Sequence, residues 1–311
     1  MPVLQLCAGH AFEWLRRSWA FKEVGDSVAV VYYGLGLAIA ATAIWAISNL
    51  LLKKVASSIG NVYLSLIILG AGIAPTAAAM LIFPSQTSTI VVELAAVAGA
   101  FLAFGYLLFL KSLETEQASD TFATTMLQSV LIALFGVFAL GETFTTSDVL
   151  GSVLIIAGIL LVSMAVGFRP NKRLVPALFG NVSWAFFWII AAYSAAVYGN
   201  AFPLLTYSRV IATLVVLLFL FIAPAKQAER TASRNSTIIV LGISAGILAG
   251  IGNVAFDLLA KAQFLAVGSM VTALSPIVVV ILAHFALKEH FAKKQALGIA
   301  IATIGAIVMV L

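Results

Sequence analysis

The sequence predicts an all-α membrane protein with ten transmembrane helices, built as two inverted five-helix repeats. Three observations carry that prediction. Apolar residues make up 63% of the 311-residue chain and charged residues 9%, too few to solvate the surface of a soluble domain. Apolar runs long enough to cross a bilayer, about 20 helical residues each, recur with only short polar gaps between them. The second half of the chain then repeats landmarks of the first at a fixed spacing.

Taken in order, the predicted spans fall at 28–52, 61–83, 89–110, 118–140, 147–166, 174–194, 202–223, 237–260, 266–287 and 294–311. The first ends at Lys53-Lys54 and Ser57-Ser58, the second at Pro84-Ser85, and the third before Lys111. Gly141-Glu142 separates the fourth from the fifth, Arg169-Pro170-Asn171 the fifth from the sixth, and Asn200 the sixth from the seventh. Pro224 closes the seventh, Lys261 the eighth and Lys288-Glu289 the ninth. Such residues cap or break helices, and joints this short make successive spans antiparallel neighbours. No gap is long enough for a soluble domain. Residues 1–27 read as a tail without a signal-peptide pattern, because Arg16, Arg17 and Lys22 follow the apolar residues instead of preceding them. Phe12, Trp14, Leu15 and Trp19 beside Arg16 and Arg17 fit either a short interfacial helix or a loosely ordered segment.

The internal repeat is the strongest organisational signal. At a shift of 147 residues Ala98-Gly99 meets Ala245-Gly246, Gly105 meets Gly252, Glu142 meets Glu289, Gly151 meets Gly298 and Gly158 meets Gly305. At a shift of 139, Trp45-Ala46 meets Trp184-Ala185 in the first span of each half. The halves are therefore 28–167 and 168–311, with five spans each. An odd number turns the second half upside down relative to the first, the arrangement of secondary transporters that rock two like halves about a midplane site.

Two segments carry a family likeness. In the first half it runs over 118–163, with Ala118-Ser119, Leu140-Gly141-Glu142, Gly151 and Ala157-Gly158-Ile159. In the second it runs over 265–310, with Gly268-Ser269, Ser275-Pro276, Leu287-Lys288-Glu289, Gly298 and Gly305. With Trp45 and Trp184, these residues resemble the drug/metabolite transporter superfamily in its EamA-type ten-helix branch. The family's proline in the fourth span is replaced here by Gln128-Ser129, whereas Pro276 stands at the matching place in the second half. The resemblance implies a permease of amino acids or other small metabolites, often an exporter. The expected location is the cell (inner) membrane of a prokaryote, as a monomer or homodimer.

Polar side chains inside spans cost about 2.5–3.5 kcal/mol when charged at a helix centre, so each asks for a reason. Here they are Asn49, Glu93, Gln128, Asn181, Arg209, Asn253, Asp257 and His284. Trp45 with Asn49 and Trp184 with Trp188 are i,i+4 pairs, each on one helix face, suited to an amphipathic ligand or to ordinary packing. Gln128 is central in its span, and its repeat partner Ser275 precedes Pro276, which removes a backbone hydrogen bond and loosens the helix. Asn253 and Asp257 share a face. The expected substrate-binding set is Trp45, Asn49, Gln128, Trp184, Trp188, Asn253 and Ser275, with a helix break at Pro276. Asp257 is the coupling candidate, set against an i,i+4 pair with Lys261. Arg209 is expected to snorkel to the interface or to pair structurally, with binding of an anionic ligand as the other reading. Glu142 and Glu289 are expected to cap the first turn of the helix that follows each. Gly242, Gly246 and Gly250 form small-residue steps for close packing, within the chain or between copies.

Several classes are excluded or disfavoured. One cysteine and three scattered histidines leave no multi-cysteine metal site, and no cofactor is expected. The net charge of +5 sits in short loops and points to lipid headgroups instead of nucleic acid. Neither a Gly-x-Ser-x-Gly nor a His-Glu-x-x-His motif occurs, against an intramembrane enzyme; a membrane protein without solute flux is the other alternative. Twelve Lys and Arg lie in odd-numbered loops and four on the other side. The positive-inside rule then puts both termini outside the cytoplasm, where the family resemblance implies the reverse.

Overall fold

The computed structural model describes residues 28–56, 58–83, 87–115, 121–122, 124–165, 172–199, 201–222, 236–261, 264–287 and 293–309. The tail 1–27, with its interfacial-helix alternative, lies outside them, as do Glu289 and the side chains of Lys261 and His284. All regular structure among the described residues is helical. In chain order the α-helices are α1 (Val28–Ala56), α2 (Asn61–Ala71), α3 (Ile73–Ile82), α4 (Thr89–Thr115), α5 (Thr125–Phe138) and α6 (Thr146–Ala165). They continue as α7 (Val175–Tyr198), α8 (Phe202–Ile222), α9 (Ser236–Lys261), α10 (Leu265–Thr272), α11 (Ser275–Leu287) and α12 (Lys293–Val308).

Seven of the predicted spans are long and apolar enough to cross a membrane: Tyr32–Ala56, Asn61–Ile82, Thr89–Glu114, Lys172–Tyr198, Phe202–Phe221, Ser236–Ala260 and Leu265–Leu282. The other three, 118–140, 147–166 and 294–311, fall on α5, α6 and α12. Thr125–Phe138 and Thr146–Val162 are shorter apolar helices, and α12 has 16 residues. Helix α5 stops early because the chain folds back at Gly141, whose φ is 71°. Leu140 N–H bonds to Phe135 O and Glu142 N–H to Gly136 O, the kind of closure that satisfies last-turn carbonyls.

Two spans are interrupted near their middles. Gly72 joins α2 to α3. Ala273 and Leu274 separate α10 from α11, so Pro276 sits in the first turn of α11, where its missing N–H is not needed. The interruption precedes the proline instead of kinking a continuous helix at it.

The helices do not pack as two separate halves. Helix α1 lies against α9, α10 and α11 of the second half, and α7 lies against α4 and α5 of the first. Helices α6 and α12, the last of each half, pair with each other. Contacts of this kind are reciprocal, as between two like units related by a two-fold. A Cβ added at Gly158 would stand 2.5 Å from Gly298 O, and one at Gly298 would stand 2.7 Å from Gly158 O. Gly151 and Gly305 face each other in the same way. Trp45 covers Gly252, and Trp184 covers Gly105. The stepped glycines of α9 serve packing within the chain, with Gly246 against Ile68 O and Gly250 against Gly72 O. The large apolar side chains left outside, among them Leu81, Phe138, Phe221 and Phe285, form the face expected toward lipid tails.

Candidate functional site

Where helices of both halves converge, they enclose a cavity of about 90 Å³, lined from α1, α4, α5, α7, α9, α10 and α11. By the measure of 10–15 Å³ per water, that is room for roughly half a dozen waters. Among the described residues the lining contains no charged side chain: Trp45, Ser48, Asn49, Leu52, Leu102, Tyr106, Thr125, Gln128, Ser129, Trp184, Phe187, Trp188, Ala249, Asn253, Thr272 and Ser275. Trp45, Asn49, Gln128, Trp184, Trp188, Asn253 and Ser275 thus meet in one place, although the sequence separates them by up to 230 residues (275 − 45).

One wall is aromatic. Trp188 meets Phe256 with ring centroids 4.5 Å apart, Trp45 meets Phe256 at 5.4 Å and Trp188 at 5.9 Å. Such tilted and edge-on pairs hold large rings in place. Trp45 Nε1 donates to Asn253 Oδ1 at 3.2 Å, which fixes both side chains at the cavity's edge. Trp184 is packed by Tyr106 at 5.0 Å and Phe109 at 4.9 Å, yet its Nε1 has no hydrogen-bond partner, and neither has Ser275 Oγ. Buried polar atoms are nearly always paired, and these two, each from a residue of the cavity wall, are exceptions. Asn49 and Gln128 are half-buried and add amide donors and acceptors.

The break before α11 has a local consequence. It lets Thr272 and Ser275, three residues apart across the interruption, both reach the cavity. Pro276 itself is not part of the lining.

Asp257 is also absent from the lining. It is 1% exposed, and its Oδ2 accepts the Ala201 N–H at 3.2 Å, directly before the first turn of α8. A carboxylate there meets unpaired N–H groups and the positive end of the helix. It lies one turn from Asn253, so it stands behind the cavity rather than in it.

Two further expectations are corrected. Arg209 does not snorkel: it is 0% exposed and lies between helices of the bundle, its guanidinium packed on Gly72 at the α2–α3 joint. Glu142 does not cap the helix that follows it. Its Oε1 and Oε2 accept the N–H groups of Leu265 and Ala266 at 3.0 and 2.6 Å, so it caps α10 of the other half. Helix α6 is capped instead by a reciprocal pair, Thr145 N–H to Asp148 Oδ2 at 2.7 Å and Asp148 N–H to Thr145 Oγ1 at 3.2 Å, a capping box. Burial holds the Glu142 carboxyl above the ordinary carboxylate range, and the bonds from Ala266 and Leu265 oppose that rise. Asn181, one of the polar residues inside spans, is wholly buried and donates to Thr124 Oγ1 and Ala177 O, both at 2.8 Å; it braces α7 against the start of α5.

Tyr106, Thr125, Ser129, Phe187 and Thr272 line the cavity without having been singled out from the sequence. Tyr106 was within reach: 253 − 147 = 106 makes it the repeat partner of Asn253. Among the described residues no three His, Cys, Asp or Glu side chains converge to hold a metal.

The model of the EamA-like transporter family matches this chain twice, over residues 32–164 and 173–311. No curated protein matches it. Among solved structures, one described only as "Crystal structure of protein" superposes with a TM-score of 0.64 at 18% identity, over 87% of this chain and 98% of that one. At that identity the likeness concerns the fold.

Proposed function

The chain belongs to the EamA-like transporter family, and from that premise we propose that it is a secondary transporter moving amino acids or related amphipathic solutes, as an exporter, by alternating access. The observation that carries the reading is the cavity itself: a chamber walled by helices of both repeats, its described lining made of aromatic, hydroxyl and amide side chains with a few aliphatic ones and no charge. Such a chamber suits a solute with a flat apolar body and a few polar groups. Trp45, Trp184 and Trp188 would pack the body, and Asn49, Gln128, Asn253 and Ser275 would satisfy the polar groups.

In this reading α5, α6 and α12 complete ten spans, and repeats 28–167 and 168–311 lie inverted in the cell membrane of a prokaryote. Alternation exchanges which end of the chamber is sealed. The Glu142 cap on α10 supports one seal, because it ties the end of α5 to the start of the broken span. Asp257 is the coupling group: protonation would weaken its hold on the start of α8, one turn from Asn253.

The test is flux in proteoliposomes of labelled amino acids and related acids and amines, with and without an imposed pH gradient. Saturable flux that responds to the gradient is expected. Folded protein that moves none of them would count against the reading.

A further inference from the structure

Arg209 is the largest fully buried side chain among the described residues. Its Nε, Nη1 and Nη2 meet no well-aligned acceptor among the described residues. A guanidinium keeps its charge in proteins and offers five donors and no acceptor, so leaving it unpaired inside a membrane bundle demands a reason. Its position is fixed. A Cβ added at Gly72 would collide with Nη1 and stand 2.6 Å from Cζ, so the joint between α2 and α3 is shaped around it. Its polar neighbour is the Tyr106 hydroxyl, and Tyr106 is a wall of the cavity. One side chain therefore separates an uncompensated positive charge from the chamber.

The remaining polar atoms point the same way. Trp184, packed on Tyr106, carries a free indole N–H, a group that only donates. The buried carboxylate of Asp257 accepts the N–H of Ala201 at the positive end of α8. A positive charge thus stands behind the Tyr106 wall of the chamber.

We propose that Arg209, acting through the Tyr106 hydroxyl and beside Trp184 Nε1, makes the cavity select amphipathic solutes by an anionic carboxylate end. The apolar body then lies toward Trp45 and Trp188. This rests on the cavity being the solute site. It narrows the substrate class to organic acids with an apolar ring or chain and sets organic cations apart as poor ligands. Arg209 is a positioning residue in this scheme, since Tyr106 stands between it and the solute.

The experiment is binding of phenylacetate, phenylacetamide and phenethylamine to the purified full-length chain in detergent, read by tryptophan emission. These share a ring and differ in charge. Wild-type protein should bind phenylacetate on the order of tenfold or more tighter than phenethylamine, with phenylacetamide between them. Arg209→Gln should bring the three affinities together, and Arg209→Lys should keep part of the preference. Tyr106→Phe should weaken phenylacetate several-fold with little effect on phenethylamine, and it carries the test if Arg209→Gln does not fold. Equal or reversed ranking in the wild type overturns the inference, as does an unchanged ranking in folded Arg209→Gln or Tyr106→Phe. Tight binding or flux of the cation alone would overturn the inference while leaving the transporter reading intact. Failure of all three to bind folded protein would overturn the inference, and a parallel absence of any flux would remove the transporter reading with it.

Discussion

The indole N–H of Trp45 donates to Asn253 Oδ1 at 3.2 Å, while Trp184, its partner in the other repeat, meets Tyr106 edge-on at 5.0 Å and donates to nothing. Both tryptophans sit over a glycine of the opposite half, Gly252 and Gly105. The backbone frame is therefore repeated and the chemistry is not. One indole N–H is satisfied within the protein and the other is not.

That asymmetry predicts unequal effects from equal substitutions. Trp45→Phe leaves the Asn253 acceptor without its donor and should cost about 1 kcal/mol of stability, seen as earlier thermal unfolding in detergent. Trp184→Phe breaks no protein hydrogen bond. It should cost stability only through lost ring packing, by about 1 kcal/mol less than Trp45→Phe, which loses a hydrogen bond as well, and weaken solute binding several-fold.

The pairing of α6 with α12 predicts a packing-sensitive seam. Gly158→Leu or Gly298→Val forces the two backbones apart where an added carbon already meets a carbonyl oxygen, and overpacking of this kind costs about 1–3 kcal/mol. Gly36, with nothing within 4 Å of an added Cβ, is the control. Gly36→Ala should leave thermal unfolding unchanged or slightly later, since alanine is the better helix former.

Glu142 predicts a pH dependence of defined sign. Burial raises its carboxyl above the ordinary value, against the two bonds from Ala266 and Leu265. The folded state therefore holds the proton more tightly than the unfolded chain. This contribution to stability is complete below the unfolded glutamate value and is lost as pH rises through the raised folded value. Wild-type stability measured across mild acid to neutral pH should contain that falling component, and Glu142→Gln should lack it. Glu142→Ala should be less stable at every pH by about 1 kcal/mol, because α10 loses its cap. Identical pH profiles for wild type and Glu142→Gln would contradict the assignment.

How much of this was legible follows from where each signal resides. Spans and repeat partners were readable because hydrophobic period and glycine spacing are local properties. Trp45, Asn49, Gln128, Trp184, Trp188, Asn253 and Ser275 do line one cavity, and repeat matching already pairs Trp45 with Trp184 and Gln128 with Ser275. What the sequence could not carry was exchange between the halves. Glu142 looks like a cap for the helix after it, but Asp148 and Thr145 already close that end, which frees Glu142 for α10. Arg209 looks like a snorkelling residue, because nothing local reveals that Gly72, 137 residues earlier (209 − 72), makes room for it. Asp257 shares a face with Asn253 as spacing requires, yet its carboxylate goes to Ala201 of α8, a tertiary partner that no helical wheel contains.

Asp257→Asn separates coupling from capping. As the coupling group, its replacement should abolish pH-driven flux and leave downhill exchange of solute in place. An asparagine still accepts the Ala201 N–H, so folding should survive. Unchanged driven flux would confine Asp257 to its structural contact with α8.

The account's central claim is that solute passes through the chamber between the repeats. The most direct measurement is saturable flux in proteoliposomes by wild-type protein and by Ser275→Trp, whose added ring fills the cavity. Wild type should show saturable flux, and the filled variant, shown to be folded by its thermal unfolding, should show none. Equal flux from both proteins would place the route elsewhere and contradict the claim.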